Sequence, residues 1–278
     1  MKKEQIKVGV MGWPVAHSRS PIIHNYWIDQ YGLSGLYEQL PVEPECLETA
    51  IKTLRSNGYA GCNITIPHKV HALRHMDWVD PLASRVGAIN TIVVQPNGEL
   101  HGFNHDGFGY IESLREALPE WTADNGPAVI LGAGGASRAI IVGLLDAGAT
   151  EIRIVNRTKT SAEALANEFG VKIKAFDWNQ RSNVLSDAAL LVNTTSQGMH
   201  GEPPLDIDLS ALTASALVSD AIYIPQETTF LSAAKKRGNT TVNGLGMLIH
   251  QARPAFQAWF GVMPEVTPGL IKAISSTF

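Results

Sequence analysis

Short β-branched runs alternate with helical stretches along this chain, and the alternation constrains its fold more than any other feature. In the first half we predict strands at 6–11, 36–41, 60–66, 88–94 and 99–103, and helices at 20–31, 44–56, from 67 and at 107–118. In the second half we predict strands at 128–131, 151–156, 172–176, 188–193, 216–222 and 240–243, helices at 136–147 and 158–169, and a mainly helical end at 244–278. Such alternation predicts parallel α/β sheets with crossover helices.

Two regions depart from that simple alternation. The run Pro96-Asn97-Gly98 between two strands predicts a hairpin. The polar stretch 119–127 contains proline and glycine, and after it the pattern starts again. With 278 residues the chain has room for about two domains. The second unit has the pattern of a doubly wound nucleotide-binding domain.

Composition excludes several classes of protein. Hydrophobic residues make up 45% and charged residues 17%, which excludes a disordered chain. A net charge of −4 argues against a nucleic-acid partner. Cys46 and Cys62 are too few for a disulfide framework and fit a reducing compartment. Lys7 interrupts the first apolar run and no run reaches 18 residues, so we expect no signal peptide, no membrane partner and a cytoplasmic protein.

A glycine-rich turn follows the first strand of the second unit. Gly132, Ala133, Gly134, Gly135 and Ala136 precede a predicted helix, where backbone N–H groups and the helix dipole favour a pyrophosphate. Ser137 stands where a dinucleotide-binding turn usually has Gly or Ala, so the fingerprint is imperfect. A purely structural strand-to-helix turn is the alternative.

The end of the next strand indicates which dinucleotide would bind. An NAD site usually has an acid there for the ribose 2′-hydroxyl. This chain has Asn156, Arg157, Thr158 and Lys159 instead, and an arginine can pair with a 2′-phosphate. The pattern favours NADP over NAD, with a solvated helix start as the alternative.

Polar residues cluster after the strands of the first half. Ser18 and Ser20 precede a helix, where two hydroxyls can hold a small carboxylate, although Ser20 could simply be the helix N-cap. Strand alternation puts Asn63 and Thr65 on one face. Lys69 falls in a first helical turn, where a cation is disfavoured, so it is either solvated or chemically useful.

Asp106 and two histidines are the remaining candidates for catalytic or metal-binding residues. Asp106 could be a helix cap, but an acid close to a lysine is a usual pair for moving a proton to or from a hydroxyl. His71 and His75 have a spacing that could bind a metal. No HExxH motif occurs, so we expect no metal site.

Taken together, these motifs identify a resemblance. The chain resembles the shikimate dehydrogenase family nearly end to end. The matching segments are GWPVAHSRSP at 12–21, NITIPHK at 63–69, GAINT at 87–91, GFNHDG at 102–107, GAGGASRA at 132–139, NRT at 156–158, NTTSQGM at 193–199, DAIYIP with Tyr223, and NGLGMLIHQA at 243–252.

The resemblance implies a two-domain α/β fold with the active site in the cleft between the domains. An N-terminal α/β substrate domain at 1–106 would be completed by the C-terminal helices at 244–278, and a Rossmann-like, doubly wound NADP domain would span 107–243. The implied activity is the reversible reduction of 3-dehydroshikimate to shikimate by NADPH in aromatic amino acid biosynthesis. Hydride would go to the C3 carbonyl, and the protein would be a monomer or a homodimer.

The resemblance also assigns individual residues. Lys69 and Asp106 would be the catalytic acid–base pair. The substrate would be held by Ser18, Ser20, Asn63, Thr65, Asn90, Tyr223 and Gln251. The cofactor would be held by Gly132, Ala133, Gly134, Gly135, Ala136, Asn156, Arg157, Thr158, Lys159, Thr195, Ser196, Ala221, Gly244 and Met247.

Three positions depart from the family pattern. His105 stands where Thr commonly precedes the catalytic Asp, and Asn243 stands where Asp is common. Ser161 replaces an Arg that often grips the 2′-phosphate, so NADP preference would depend chiefly on Arg157.

Three other functions remain open from the sequence. A quinate/shikimate dehydrogenase of the same fold would use NAD, but the acid it needs near the ribose is missing here. A non-catalytic NADP-binding regulator would be expected to have lost Lys69 or Asp106. A methyltransferase would need an acid where Arg157 stands.

Overall fold

The structure is a computed structural model that describes residues 5–278. The first four residues, which belong to the predicted domain 1–106 and to the segment where we expect no signal peptide, lie outside the described part. The chain divides into two compact units, Met1–Asp106 with Ile249–Thr277, and Gly107–Leu248 with Phe278. No helix within residues 5–278 combines the length and the apolar character needed to cross a membrane.

In the described residues, twelve strands and ten α-helices make up the two units. The strands are β1 Ile6–Gly12, β2 Gly35–Pro41, β3 Gly61–Ile64, β4 Trp78–Val79, β5 Thr91–Val94, β6 Leu100–Phe103, β7 Ala128–Leu131, β8 Ile152–Asn156, β9 Ile173–Asp177, β10 Leu190–Asn193, β11 Leu217–Asp220 and β12 Thr241–Val242. The α-helices are α1 Ser20–Gln30, α2 Leu47–Lys52, α3 Lys69–Ala72, α4 Pro81–Val86, α5 Asp106–Ala117, α6 Gly135–Asp146, α7 Lys159–Phe169, α8 Thr229–Lys236, α9 Gly244–Phe260 and α10 Pro268–Ser275.

The first unit contains a mixed sheet in the order β2-β1-β3-β5-β6-β4. β1 runs parallel to β2 and β3, but β5 runs antiparallel to β3 and β6. The expectation of a parallel sheet is therefore wrong for this unit. The hairpin predicted at 96–98 is the physical reason, because a connection that short cannot make the crossover that parallel strands need.

Two helix predictions in the first unit also need correction. Ser20 is not an N-cap: it is the first residue of α1, and Arg19 holds the cap position without a side-chain cap bond. The helix predicted at 44–56 is broken into a 3₁₀ turn, Pro44–Cys46, and the short α2. The sequence did not predict β4, α4 or α8.

Both faces of the first sheet are covered. On one face Met11, Ile64 and Ile92 pack with Leu47 and Ile51 near α2. On the other face α1 and α9 bring aromatic rings together: Trp27 lies 5.4 Å from Phe256 between ring centroids. Buried strands and helices on either side hold the strand ends, which carry the polar residues, in fixed positions.

The second unit has a fully parallel sheet in the order β12-β11-β10-β7-β8-β9. Side chains of β7 are buried on both faces of the sheet. Ile130 packs with Ile140 and Ile154 on one face, and Val129 and Leu131 belong to the hydrophobic cluster on the other. This is the predicted doubly wound, Rossmann-like arrangement, and it is confirmed. The strand order reverses between β7 and β10, where such folds bind ligands at the carboxyl ends of the strands.

Candidate active site

Lys69 and Asp106 form an ion pair within the first unit. Lys69 is the first residue of α3 and Asp106 the first residue of α5. Lys69 Nζ donates to Asp106 Oδ2 at 2.6 Å, and the two side chains are 19% and 5% exposed. Asn104 Oδ1 accepts from the Asp106 backbone N–H at 3.0 Å, which fixes the start of α5. The pair is therefore rigidly held, and its lysine still reaches solvent.

Asn90 joins this pair to the rest of the site. Its Nδ2 donates to Asp106 Oδ1 at 2.9 Å and to Gln251 Oε1 at 3.0 Å. Its Oδ1 accepts from the His105 N–H and from Thr91 Oγ1, both at 3.0 Å. The carboxamide thus uses both hydrogens and both lone pairs inside the unit. Asn90 could contact a ring hydroxyl only by exchanging one of these bonds.

Asn63 contacts the Asn90 backbone, and its carboxamide makes three hydrogen bonds. Its Nδ2 donates to the Asn90 backbone O and to Thr91 Oγ1, both at 3.1 Å. Its Oδ1 accepts from the buried Tyr37 hydroxyl at 2.7 Å. The orientation of the amide is therefore set by Tyr37, and the remaining lone pair of Oδ1 can only accept a hydrogen bond. Tyr37 gave no signal in the sequence, because it is an ordinary buried residue of β2.

The two serines and Thr65 lie after the ends of β1 and β3. Ser18 Oγ accepts from the Ser20 N–H at 3.3 Å, so it caps the turn into α1. Thr65 donates its N–H to Met11 O at 2.9 Å. A Cβ on Gly12 would stand 2.4 Å from Thr65 Cγ2, so the close approach of the two strand ends requires glycine.

All but one of the predicted substrate residues lie in the first unit. Asn63, Lys69, Asn90, Asp106 and Gln251 form one hydrogen-bonded network in the first unit. Ser18, Ser20 and Thr65 lie in the same unit, and Ser20 is linked to the network through Tyr37, which donates to Asn63. Tyr223 belongs to the second unit, where its ring lies 6.4 Å from Phe278.

His105 is held beside the Lys69–Asp106 ion pair as a neutral group. Burial lowers its pKa to about 4, although the charges of Asp106 and Asp80 favour protonation. Its ring lies nearly parallel to Phe103, with 6.0 Å between centroids. The histidine that replaces the family's threonine therefore adds no charge near Asp106 at neutral pH.

The glycine-rich turn at the end of β7 is tied to the end of β10. Gly132 has a φ of +111°, and a Cβ there would stand 2.6 Å from Thr194 Oγ1. Ser137, the residue that departs from the fingerprint, bonds through Oγ to Thr194 Oγ1 at 2.7 Å and accepts from the Gly134 N–H at 3.2 Å. Ser137 therefore stabilises the turn.

The space in front of this turn is open. Beyond the turn itself, no atom of the described residues lies within 4 Å of the place where a Cβ would stand on Gly134 or Gly135. Side chains there would fill space beside the N-terminus of α6, where free N–H groups favour an anion. The turn fits the pyrophosphate of a dinucleotide.

The other predicted cofactor residues lie at the ends of neighbouring strands. Thr195 follows β10 and bonds through N–H and Oγ1 to Asn193 Oδ1, at 3.0 and 2.7 Å, whereas Ser196 is exposed. Ala221 follows β11, and a Cβ on Gly244 would stand 2.2 Å from its carbonyl oxygen. Met247 packs partly against the core. Packing against Ala221 therefore requires a glycine at position 244.

A buried carboxylate orients this end of the sheet and was missed in the sequence. Asp220 accepts from Asn193 Nδ2 at 3.0 Å, from the Ile222 N–H at 3.1 Å and from Thr228 Oγ1 at 2.8 Å. Burial raises its pKa to about 6 against the effect of these bonds. Asp220 thereby links the loops after β10 and β11.

The turn after β8 carries the residues predicted to read the adenosine ribose. Asn156 Nδ2 donates to Thr158 O at 2.9 Å, and Arg157 is exposed. Lys159 lies 3.5 Å from Glu163 and 3.8 Å from Asp177, measured from Nζ to a carboxylate oxygen. The lysine is thus already paired with acids, which the sequence did not indicate.

The histidines form no metal centre in the part of the chain that the structure describes. There, no three His, Cys, Asp or Glu side chains come together as a possible metal site. His68 is buried, and its Nε2 lies 2.7 Å from Val42 O.

Comparison with known proteins identifies the family. Residues 10–92 match the model of the shikimate dehydrogenase substrate binding domain, and 116–200 match that of shikimate/quinate 5-dehydrogenase. Residues 244–268 match the shikimate 5′-dehydrogenase C-terminal domain. The shikimate dehydrogenase (NADP(+)) of Rhodospirillum rubrum is 52% identical over 96% of this chain and 95% of its own length. The chain belongs to the shikimate dehydrogenase family.

Solved structures of this family have the same fold. The shikimate 5-dehydrogenase of Thermus thermophilus, in complex with NADP(H) and shikimate, is 36% identical with a TM-score of 0.88, over 98% of this chain and 100% of that one. A quinate dehydrogenase of Corynebacterium glutamicum, in complex with NAD, is 28% identical with a TM-score of 0.89, over 99% of both chains. Family membership confirms the predicted resemblance.

The lowered pKa of His105 predicts an acid-sensitive contribution to stability. Its folded-state pKa of about 4 lies below 6.5, so the unfolded chain takes up the proton first as the pH falls. This contribution is complete above about pH 6.5 and is lost towards about pH 4. Between about pH 7 and pH 5, the wild type should lose about 2 kcal/mol more unfolding free energy than His105→Gln.

Urea unfolding of both proteins at the two pH values measures the difference. His24, whose pKa burial lowers to about 3, is present in both proteins and cancels. Equal pH dependence of the two proteins would contradict the assigned state of His105.

Proposed function

We propose that this protein catalyses the reversible reduction of 3-dehydroshikimate to shikimate with NADPH. Its relatives' shared name, shikimate dehydrogenase (NADP(+)), bears out the predicted reaction, oxidoreductase class and cofactor. The observation that carries the proposal within this chain is the Lys69–Asp106 pair at 2.6 Å, built into a buried amide network. A cytoplasmic location and a monomeric or homodimeric state stay predictions.

The acid–base work is assigned to Lys69 and Asp106. NADPH, when bound, supplies the hydride to the C3 carbonyl. The oxygen of that carbonyl then gains negative charge and needs a proton, which Lys69 Nζ is suited to donate. In the oxidation direction Lys69 accepts the proton from the hydroxyl. Asp106 orients the ammonium group and accepts a hydrogen bond from a substrate hydroxyl.

The remaining polar residues are proposed to bind and orient the substrate. Ser18 and Ser20 bind its carboxylate beside the start of α1, with Tyr223 as a further contact. Asn63, Thr65 and Gln251 hold ring hydroxyls. Asn90 acts mainly by holding Asp106, since its carboxamide is fully bonded.

The cofactor is proposed to bind along the carboxyl ends of the parallel strands in the second unit. Gly132–Ala136 would hold the pyrophosphate, and Thr195, Ser196, Ala221, Gly244 and Met247 would line the rest of the dinucleotide. Arg157 would pair with the 2′-phosphate, with Asn156 and Thr158 shaping the turn that presents it.

Quinate oxidation with NAD is the second candidate function. A solved relative of the same fold is a quinate dehydrogenase in complex with NAD, which favours testing it. Arg157, which follows β8, argues against NAD because an arginine can pair with a 2′-phosphate. Ser20 argues against quinate, since a serine there fits shikimate better than a bulkier threonine would. A non-catalytic regulator is disfavoured because the Lys69–Asp106 pair is intact.

A four-way turnover assay separates these functions. Purified protein is offered shikimate or quinate with NADP or NAD, and nicotinamide reduction is followed by absorbance. We expect activity confined largely to shikimate with NADP. Comparable rates with quinate or NAD would support the broader-specificity function, and no activity in any combination would support the regulator.

Loss of the lysine tests the assigned chemistry. Lys69→Ala should lower turnover by a factor on the order of 10²–10⁴, because the developing alkoxide loses its proton donor. NADP binding, measured by calorimetry, should be unchanged. As a matched control, Lys52→Ala removes an exposed lysine that is also paired with an acid, Glu48, and should leave turnover unchanged. Near-normal turnover in Lys69→Ala would rule out the assigned role.

A further inference from the structure

Lys159, expected from the sequence to grip the cofactor, is bracketed by two carboxylates. It is the first residue of α7, and Nζ lies 3.5 Å from Glu163 and 3.8 Å from Asp177. All three side chains are 47% exposed. The two acids outweigh the single lysine, so this group adds no net positive charge for a phosphate.

Asp177 lies beside the turn that is assigned to the adenosine ribose. It is the last residue of β9 and is in register with Asn156, the last residue of β8. Adjacent strands are about 4.8 Å apart. The ribose 2′ position of a dinucleotide lies at the end of the second strand of such a sheet, which here is β8. A carboxylate at the end of β9 is therefore close enough to repel a 2′-phosphate or to favour a 2′-hydroxyl.

We propose that Lys159 determines cofactor selectivity by neutralising Asp177, and that it is not itself the ligand of the 2′-phosphate. On its own, the charge of Asp177 would disfavour NADP relative to NAD. The ion pair with Lys159 neutralises that charge, so that a 2′-phosphate is tolerated. This inference rests on the proposed NADP-dependent function and adds the residues that set its selectivity.

Arg157 is left as the direct phosphate ligand. It is exposed in the turn after β8, and among residues 5–278 no acid forms an ion pair with it. Ser161, which replaces the family's second arginine, carries no charge. A single arginine contact makes NADP affinity sensitive to any nearby negative charge, which explains why Asp177 needs a partner.

A double-mutant cycle distinguishes neutralisation from direct contact. Kd values for NADP⁺ and NAD⁺ are measured by calorimetry for the wild type, Lys159→Met, Asp177→Asn and the double variant. We expect Lys159→Met to weaken NADP⁺ binding about 3- to 10-fold and to change NAD⁺ binding less than about twofold. The double variant should return to within about twofold of the wild type, because the charge that repels the phosphate is also gone.

Ionic strength and a matched acid provide the controls. The loss in Lys159→Met should shrink between about 0.05 M and about 0.5 M salt, since it acts through charge across solvent. Glu163→Gln also removes a negative partner of Lys159, but one that belongs to the next turn of α7 and not to the end of a strand. Combined with Lys159→Met, it should not restore NADP⁺ affinity.

Several results would overturn the inference. A double variant as weak as Lys159→Met would make Lys159 a direct phosphate ligand. If Lys159→Met bound NADP⁺ as tightly as the wild type, the pair would have no role in selectivity. If Glu163→Gln restored the NADP⁺ affinity of Lys159→Met as well as Asp177→Asn does, the effect would be one of general surface charge. Absence of NADP⁺ binding in the wild type would overturn the proposed function itself, and this inference with it.

Discussion

Burial of the Asp106 carboxylate carries a large desolvation cost, and hydrogen bonds from Lys69 and Asn90 to its two oxygens offset that cost. The neighbouring hydrogen bonds keep those two donors in place. Lys69 is fixed at the start of α3, where the Ile89 N–H donates to its carbonyl at 2.9 Å. Asn90 is fixed because every hydrogen-bonding position of its carboxamide is used. Lys69 donates one N–H of its ammonium group to Asp106. Its other N–H groups remain available to a substrate, because the side chain reaches solvent.

In the second unit the backbone of the glycine-rich turn borders open space, and this is the place proposed for the pyrophosphate. Gly132 takes a left-handed φ of +111°, which other residues rarely adopt. Ser137 and Thr194 then tie the glycine turn to the neighbouring strand end at the point where strand order reverses. The open space at Gly134 and Gly135 lies beside a helix N-terminus as a result. Selectivity is a separate matter, decided by charges at the ends of β8 and β9.

Features set by local chemistry could be predicted from the sequence. The glycine turn, the hairpin at 96–98, the strands and helices other than β4, α4 and α8, and the pairing of Lys69 with Asp106 all depend on short motifs or on the family resemblance. Contacts between distant segments could not be predicted in this way. Tyr37 reaches Asn63 across the sheet, and Asp177 at the end of β9 reaches Lys159 at the start of α7, so neither contact has a local signature. The mixed first sheet follows from one short connection that overrides the general alternation.

The proposed acid–base role of Lys69 and Asp106 depends on the Asn90-centred network, which holds both side chains in place. The most direct test is single-turnover NADPH oxidation with saturating 3-dehydroshikimate, followed by stopped flow in the wild type and in Asn90→Ala. We expect the hydride-transfer rate to fall about 10- to 100-fold in Asn90→Ala, because a misplaced Lys69–Asp106 pair no longer meets the reacting oxygen. NADPH affinity and thermal unfolding are checked in the same samples. A rate within about twofold of wild type in a folded, NADPH-binding variant would show that Asn90 does not position the Lys69–Asp106 pair for the reaction.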